Sequence, residues 1–114
     1  MELSETTTGP VGRVQIARYA CAVGDFNPIH VDEEFAKAAG MPSVIAHGPL
    51  TAALVIDALV SQLGAAALGA VDVRFRAPVF PGDTLTVVPV ADGAEVRKPD
   101  GSVAATLALT KAGA

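Results

Sequence analysis

The sequence is poor in several residue types, and each shortage excludes a class of protein. Cys21 is the one cysteine, so an intrachain disulfide and a cysteine-built metal site are both excluded. Tryptophan is absent and only one tyrosine is present, so the core must consist largely of Ala, Val and Leu. Eight basic residues stand against 12 acidic ones, and a net charge of −4 offers no basic stripe to nucleic acid. The apolar neighbours of Cys21 predict a buried thiol.

Long apolar runs are also lacking. The most apolar run, Pro49–Val60, is shorter than the roughly 20 residues that a membrane span needs, and Asp57 interrupts it. The first ten residues are polar and acidic and lack the pattern of a signal peptide. We therefore expect a soluble, cytoplasmic protein that binds no membrane. Its 114 residues, 51% of them hydrophobic, predict one domain spanning 1–114, whose small core oligomerisation would help to stabilise.

The spacing of apolar residues predicts helices first and strands later. The predicted helices are Arg13–Val23, Asp32–Ala39 and Pro49–Leu63, and the predicted strands are Glu2–Thr8, Val71–Val79, Thr84–Val90, Glu95–Lys98 and Ser102–Lys111. Pro28 biases Asn27 away from helical geometry, so Asp25–His30 is expected to form a loop. The Pro49–Leu63 helix is apolar almost all round and must be buried. The order predicts an α+β domain in which an antiparallel sheet wraps this helix.

The chain has two histidines, and the first lies close to an acidic residue. Asp25 and His30 are five residues apart across a turn that Asn27 and Pro28 hold rigid. A carboxylate and an imidazole that converge can take a proton from water and deliver another. An ordinary turn with an exposed histidine explains the same residues, since turns favour Asp, Asn and Pro. The residues alone leave both interpretations open.

A second candidate lies where the apolar helix begins. The backbone N–H groups at a helix N-terminus lack intrahelical partners, and Gly48 has no side chain to block an approaching ligand. Its N–H is therefore a candidate donor to a developing enolate oxygen. A helix cap that touches no ligand is the alternative. His47 is a possible site residue that ranks below His30, because it also suits a role in shaping this turn.

Other chemistries find little support. Two histidines without HxxxH spacing or cysteine pairs make a weak case for a metal. The sequence has neither a G-x-S-x-G elbow nor a glycine-rich phosphate loop. We expect neither a metal nor an organic cofactor.

Four segments taken together resemble the MaoC-like hydratases, the (R)-specific enoyl-CoA hydratase branch of the hot-dog superfamily. The resemblance covers most of the chain in the right order and rests on G-D-x-N-P-x-H within the first segment. The matching segments are Tyr19–His30 (YACAVGDFNPIH), Ala36, Ile45–Leu50 (IAHGPL) and Val73–Asp83 (VRFRAPVFPGD). The family's fold is a single hot-dog domain, an antiparallel sheet wrapped around one long apolar central helix.

The resemblance also implies roles for individual residues. The family's catalytic pair falls on Asp25 and His30, its supporting asparagine on Asn27, and its oxyanion-binding amide on Gly48. Family members pair two hot-dog domains, so the resemblance implies a homodimer or a hetero-oligomer with a related subunit. The implied substrate is an acyl-CoA or acyl-carrier-protein thioester. Four basic residues are candidates for its carrier phosphates, although a solvated strand face explains them better: Arg74, Arg76, Lys98 and Lys111.

The function implied is a hydro-lyase that reversibly hydrates trans-2-enoyl thioesters to (3R)-3-hydroxyacyl thioesters. Two alternatives stay open: a non-catalytic subunit that completes a partner's hydratase site, and a hot-dog thioesterase. The region Thr84–Lys111 is short for the family, which favours the first alternative. Pro89 and Pro99 also weaken a regular ladder there.

Overall fold

The computed structural model describes residues 2–113, which form one antiparallel sheet packed against a long helix. The helices are α1 (Arg13–Val23), α2 (Pro28–Val31), α3 (Glu33–Ala38) and α4 (Gly48–Leu63), with a short 3-10 turn at Ala65–Ala67. The strands are β1 (Thr6–Thr8), β2 (Leu68–Phe75), β3 (Leu85–Val90), β4 (Gly93–Arg97) and β5 (Val103–Lys111). The three longer helices confirm the predicted ones, each to within one residue at either end.

The sheet has five strands in the order β1-β3-β4-β5-β2, and every neighbouring pair is antiparallel. Helix α4 buries Leu50, Thr51, Val55 and Leu59. Its apolar side chains share one core with sheet residues that include Leu85, Val87, Val96 and Leu107. The predicted α+β fold, a sheet around one long apolar helix, is confirmed.

Helix α4 is less enclosed than its composition predicts. Every fourth residue along one side is exposed, namely Pro49, Ala53, Asp57 and Ser61. The sequence does not reveal this exposed stripe, because two of its four residues, Pro49 and Ala53, are not polar. Among residues 2–113, no helix has both the length and the hydropathy that crossing a membrane requires.

Two predictions about α1 and the sheet are wrong in detail. Cys21 is exposed rather than buried, because α1 turns Ile16 and Ala20 into the core and leaves the cysteine outside. The strand predicted at Val71–Val79 ends at Phe75, since the N–H groups of Arg76 and Ala77 both donate to the carbonyl of Ala104 and interrupt the ladder.

Candidate active site

Asp25 follows the end of α1. Gly24 takes a left-handed conformation with φ of 71°, which ends the helix, and the N–H of Asp25 donates back to the carbonyl of Ala20 at 3.1 Å. The Oδ1 atom of Asp25 accepts the backbone N–H of Asn27 at 3.2 Å. One carboxylate oxygen is therefore held by the turn, and Oδ2 is left to face the site.

Asn27 begins the helix that carries His30. Its backbone is non-helical, with φ of −51° and ψ of 127°, and its Oδ1 accepts the N–H of Ile29 at 3.2 Å. Pro28 then occupies the first helical position, where a missing N–H costs nothing. The predicted loop Asp25–His30 is thus wrong in its second half, because His30 lies in the one-turn helix α2.

His30 is fixed by a bond to a distant part of the chain. Its Nδ1 lies 2.8 Å from the carbonyl oxygen of Ile45, and the N–H of Ile45 donates to the carbonyl of Ile29 at 3.1 Å. A carbonyl oxygen only accepts, so Nδ1 must carry the proton. In the neutral ring the lone pair is therefore on Nε2.

That lone pair faces Asp25. The Nε2 atom of His30 lies 4.0 Å from Oδ2 of Asp25, and the two side chains are 12% and 49% exposed. This distance is too long for a direct hydrogen bond, and both atoms are acceptors while the ring is neutral. A water molecule that donates one hydrogen to each acceptor fits between them. The structure thus brings the predicted pair together around a space suited to water.

His47 joins the same cluster. Its side chain is only 1% exposed, and its Nε2 lies 3.1 Å from the backbone carbonyl oxygen of Asp25. Its ring stacks on that of His30, with centroids 3.8 Å apart and planes inclined by 22°. The ring of Tyr19 also contacts the ring of His47, and their centroids are 4.9 Å apart. The sequence does not indicate that His47 contacts His30, because a contact between the starts of two separate helices is not visible in residue spacing.

Gly48 is the first residue of α4. Among residues 2–113, no backbone or side-chain group accepts its N–H. A side chain at this position would press on the ring of Phe75, since a Cβ would lie 3.2 Å from Cε2 and Cζ. A hollow of about 370 Å³ adjoins Gly48. Its walls are formed by Ile45, Ala46, Gly48, Thr51, Phe75, Arg76, Ala77, Pro78 and Val79.

The hollow and the Asp25–His30 pair are neighbours rather than one cavity. Neither Asp25 nor His30 lines the hollow, but His47 and Gly48 are consecutive, so the stacked rings lie next to its edge. A larger concave region, of about 690 Å³, lies between Glu2–Ser4 and the ends of β3 and β5, away from these residues. The sequence analysis does not single out Phe75, which forms part of the wall of the hollow. Phe75 and Val73 are two residues apart in β2 and therefore lie on the same face of the sheet, and this spacing was the available signal.

The cluster does not fit a metal ion well. One possible ligand atom from each of Asp25, His30 and His47 lies within 4.8 Å of the other two. The two imidazoles are stacked, however, so their lone pairs lie in nearly parallel planes. Two nitrogen lone pairs in nearly parallel planes cannot both point at one ion, as tetrahedral coordination requires.

Lys98 belongs to the scaffold and not to a carrier-binding surface. Its side chain is 7% exposed, and its ammonium donates to the carbonyl of Pro78 at 2.7 Å and pairs with Asp83 Oδ2 at 3.3 Å. Both earlier interpretations of Lys98, a phosphate contact and a solvated strand face, are therefore wrong. Arg74 and Arg76 are exposed, and neither forms an ion pair within the described part of the chain.

Comparison with known proteins gives a consistent result. The family model described as "MaoC like domain" matches residues 1–112. An enoyl-CoA hydratase of Mycobacterium tuberculosis, ChsH3, is 44% identical over 73 residues, which is 61% of this chain and 26% of that protein. This chain spans about a quarter of that relative and of a 3-hydroxyacyl-thioester dehydratase from the same organism, of which it covers 24%.

The chain covers a larger share of two solved structures than of these two relatives. The (R)-hydratase from A. caviae superposes with a TM-score of 0.76 at 26% identity, covering 91% of this chain and 88% of that one. A chain of the ChsH1-ChsH2 complex from Mycobacterium tuberculosis gives a TM-score of 0.72 at 27% identity, covering 96% and 94%. The hot-dog fold is thereby shown.

Proposed function

Since this chain belongs to the MaoC-like domain family, we propose that it is a hydro-lyase acting on acyl thioesters. It adds water to a trans-2-enoyl thioester to give the (3R)-3-hydroxyacyl thioester, and it catalyses the reverse dehydration. The relatives named as enoyl-CoA hydratase and 3-hydroxyacyl-thioester dehydratase support this reaction. No cofactor takes part in the proposed reaction.

Asp25 and His30 activate the water. The single observation that carries this proposal is the 4.0 Å separation of two acceptor atoms, Oδ2 and Nε2, which suits a water that donates to both. As the water oxygen attacks C3, one of the two groups takes its proton. A proton is then delivered to C2, which restores both groups to their starting state. The bond between Nδ1–H and the carbonyl of Ile45 stabilises His30 whenever its ring becomes positively charged.

Gly48 stabilises the intermediate. Attack at C3 pushes an electron pair onto the thioester carbonyl oxygen, which becomes an enolate oxygen until C2 is protonated. The N–H of Gly48 has no acceptor among residues 2–113 and lies at the positive end of α4, so it can donate to that oxygen. Asn27 supports the pair by starting the helix that carries His30. His47 is the remaining candidate in this site.

The acyl group and its carrier enter beside the hollow next to Gly48. The carrier is coenzyme A or an acyl carrier protein. Arg76 lines the hollow, Arg74 lies two residues before it, and both are exposed with no carboxylate partner in the described chain. Positive side chains there suit the phosphates of either carrier.

A second copy of the chain completes the site in this proposal. The side chain of Asp25 is 49% exposed and Phe75 is 52% exposed, so the site is open on one side. Strand β2 lies at the edge of the sheet with one side unpaired. A homodimer is the form that we propose. The similarity to a chain of the ChsH1-ChsH2 complex favours the second candidate, a subunit that completes the site of a related partner.

Assays of the purified chain separate these possibilities. We expect the chain alone to hydrate crotonyl-CoA and to migrate as a dimer in size-exclusion chromatography. Butyryl-CoA, which is saturated, serves as the control, and release of free CoA from it would indicate a thioesterase instead. An inactive chain that becomes active only with a second hot-dog protein would favour the heteromeric candidate. The cytoplasmic location stays a prediction.

A further inference from the structure

His47 is a buried titratable residue to which the proposed reaction assigns no proton. Besides its contact with Tyr19, it contacts both members of the Asp25–His30 pair. Its Nε2 lies 3.1 Å from the main-chain oxygen of Asp25, and its ring stacks on His30 at 3.8 Å. The two groups that need a fixed separation are thus both held by one rigid side chain.

Neither member of the pair is held firmly by its own element. Asp25 lies in an exposed turn, and its carboxylate has one backbone N–H as its partner. His30 lies in a helix of only four residues, Pro28–Val31, which is too short to be stable by itself. The pair therefore depends on contacts from other segments. The carbonyl of Ile45 holds His30 alone, whereas His47, fixed at the start of α4, contacts both members.

The contact with Asp25 also fixes the tautomer of His47. The Asp25 carbonyl accepts only, so Nε2 carries the proton and the lone pair of the neutral ring is on Nδ1. That Nδ1 atom is buried and has no hydrogen-bond partner among the described residues. A buried polar atom without a hydrogen-bond partner is uncommon and requires an explanation. The hydrogen bonding of His47 itself does not supply one, so its role lies in what it does to its neighbours.

We propose that His47 is a positioning residue that sets the gap between Asp25 and His30. Its Nε2–H holds the backbone of Asp25, and its ring fixes the plane of His30, so Oδ2 and Nε2 stay at the separation that one water can bridge. The kinetic part of this inference rests on the proposed hydratase function. The structural part, the tautomer and the two contacts, does not.

Two substitutions separate the two contacts. His47→Phe keeps a stacking ring but loses the N–H, whereas His47→Gln keeps a donor at a similar reach but loses the ring. We expect each to lower kcat by about 10- to 100-fold while KM changes little, because misplacing a reacting group by about 1 Å can cost about 100-fold. Val55→Ala is the matched control, since it removes buried volume from α4 at a position eight residues after His47.

The comparison of rates is made per folded molecule, with melting temperatures measured for all three variants. A purely structural role predicts that the His47 variants behave like Val55→Ala, with a lower melting temperature and an unchanged kcat. That result would overturn the proposal. A drop in kcat confined to the His47 variants supports it.

A spectroscopic measurement on the unaltered protein needs neither a variant nor turnover. Nitrogen-15 NMR of the imidazole rings should show His47 protonated on Nε2 and His30 protonated on Nδ1, with slow solvent exchange of both protons. Finding the His47 proton on Nδ1 would overturn the inference even in an active enzyme. Finding the expected tautomers in a chain without hydratase activity would contradict the proposed function and leave the structural part of the inference supported.

Discussion

Asp25 and His30 face each other across 4.0 Å without forming a hydrogen bond, and both facing atoms accept rather than donate. The ring could not rotate to bond the carboxylate through Nδ1 without breaking its 2.8 Å bond to the carbonyl of Ile45. The protein thus keeps two basic atoms close together and unpaired. Such an arrangement suits a water molecule that donates one hydrogen to each acceptor and loses a proton to one of them as its oxygen attacks.

Gly48 offers a test of the enolate-stabilising N–H. Gly48→Pro removes this N–H at the first helical position, where proline is tolerated, and the extended backbone of His47 (φ −61°, ψ 141°) suits a residue before proline. Gly48→Ala adds a Cβ against Phe75 but keeps the N–H. We expect kcat of the proline variant to fall by about 100- to 1,000-fold relative to the alanine variant. Equal hydration rates for the two would show that the N–H is not used.

Lys98 should stabilise the loop behind the hollow. Its ammonium is buried between Asp83 and Pro78, and the neighbouring Val79 accepts the N–H of Ala46 at 2.8 Å. Lys98→Met leaves the Asp83 carboxylate without its positively charged partner, so the free energy of unfolding should fall by about 3 kcal/mol.

Urea denaturation measures this loss, and the exposed pair between Arg97 and Glu95 provides the control. Arg97→Met should cost at most about 1 kcal/mol, because surface ion pairs are weak. Similar losses in the two variants would contradict a special role for Lys98.

The ionisation of Glu33 should make the stability of the folded protein depend on pH. The guanidinium of Arg13, which donates to its carboxylate, and then the N–H of Val44 lower the pKa of Glu33 below its ordinary value of 4.5. A lowered folded-state pKa stabilises the protein above the unfolded value, and this contribution is lost as the pH falls through the folded value. Glu33→Gln should therefore lower the melting temperature at pH 7, by an amount that shrinks below pH 4.5.

Glu34→Gln is the matched control for this effect, since Glu34 is an exposed neighbour on the same helix. Its melting temperature should follow that of the parent at both pH values. A Glu33→Gln deficit that is the same at pH 7 and in acid would show that the Arg13 and Val44 contacts contribute nothing through charge.

Much of the fold was predictable because helix ends carry local signals. Gly24 ends α1, and Pro49 lies in the first turn of α4, so both helices were placed to within one residue. The predicted start of strand β2 is three residues late, because Leu68-Gly69-Ala70 has no strand-like composition and its strand conformation comes from its pairing with β5. Pairing between distant segments decides such ends, and composition does not record it.

The sequence indicates the candidate site residues but not their arrangement. Local spacing indicated Asp25 and His30, and the helix start indicated Gly48. Nothing local indicated that the ring of His47 stacks on His30, or that the carbonyl of Ile45 fixes the tautomer of His30. These contacts join residues 17 and 15 positions apart, and only the folded chain brings them together.

The central claim is that Asp25 and His30 activate water for addition to an enoyl thioester. Its most direct test is the rate at which the purified chain hydrates crotonyl-CoA, measured beside Asp25→Asn, which keeps the shape of the side chain and removes its charge. Circular dichroism establishes that both proteins are folded. We predict hydration by the parent and a loss of about 100- to 10,000-fold in the variant. Equal rates in the two proteins would contradict the account.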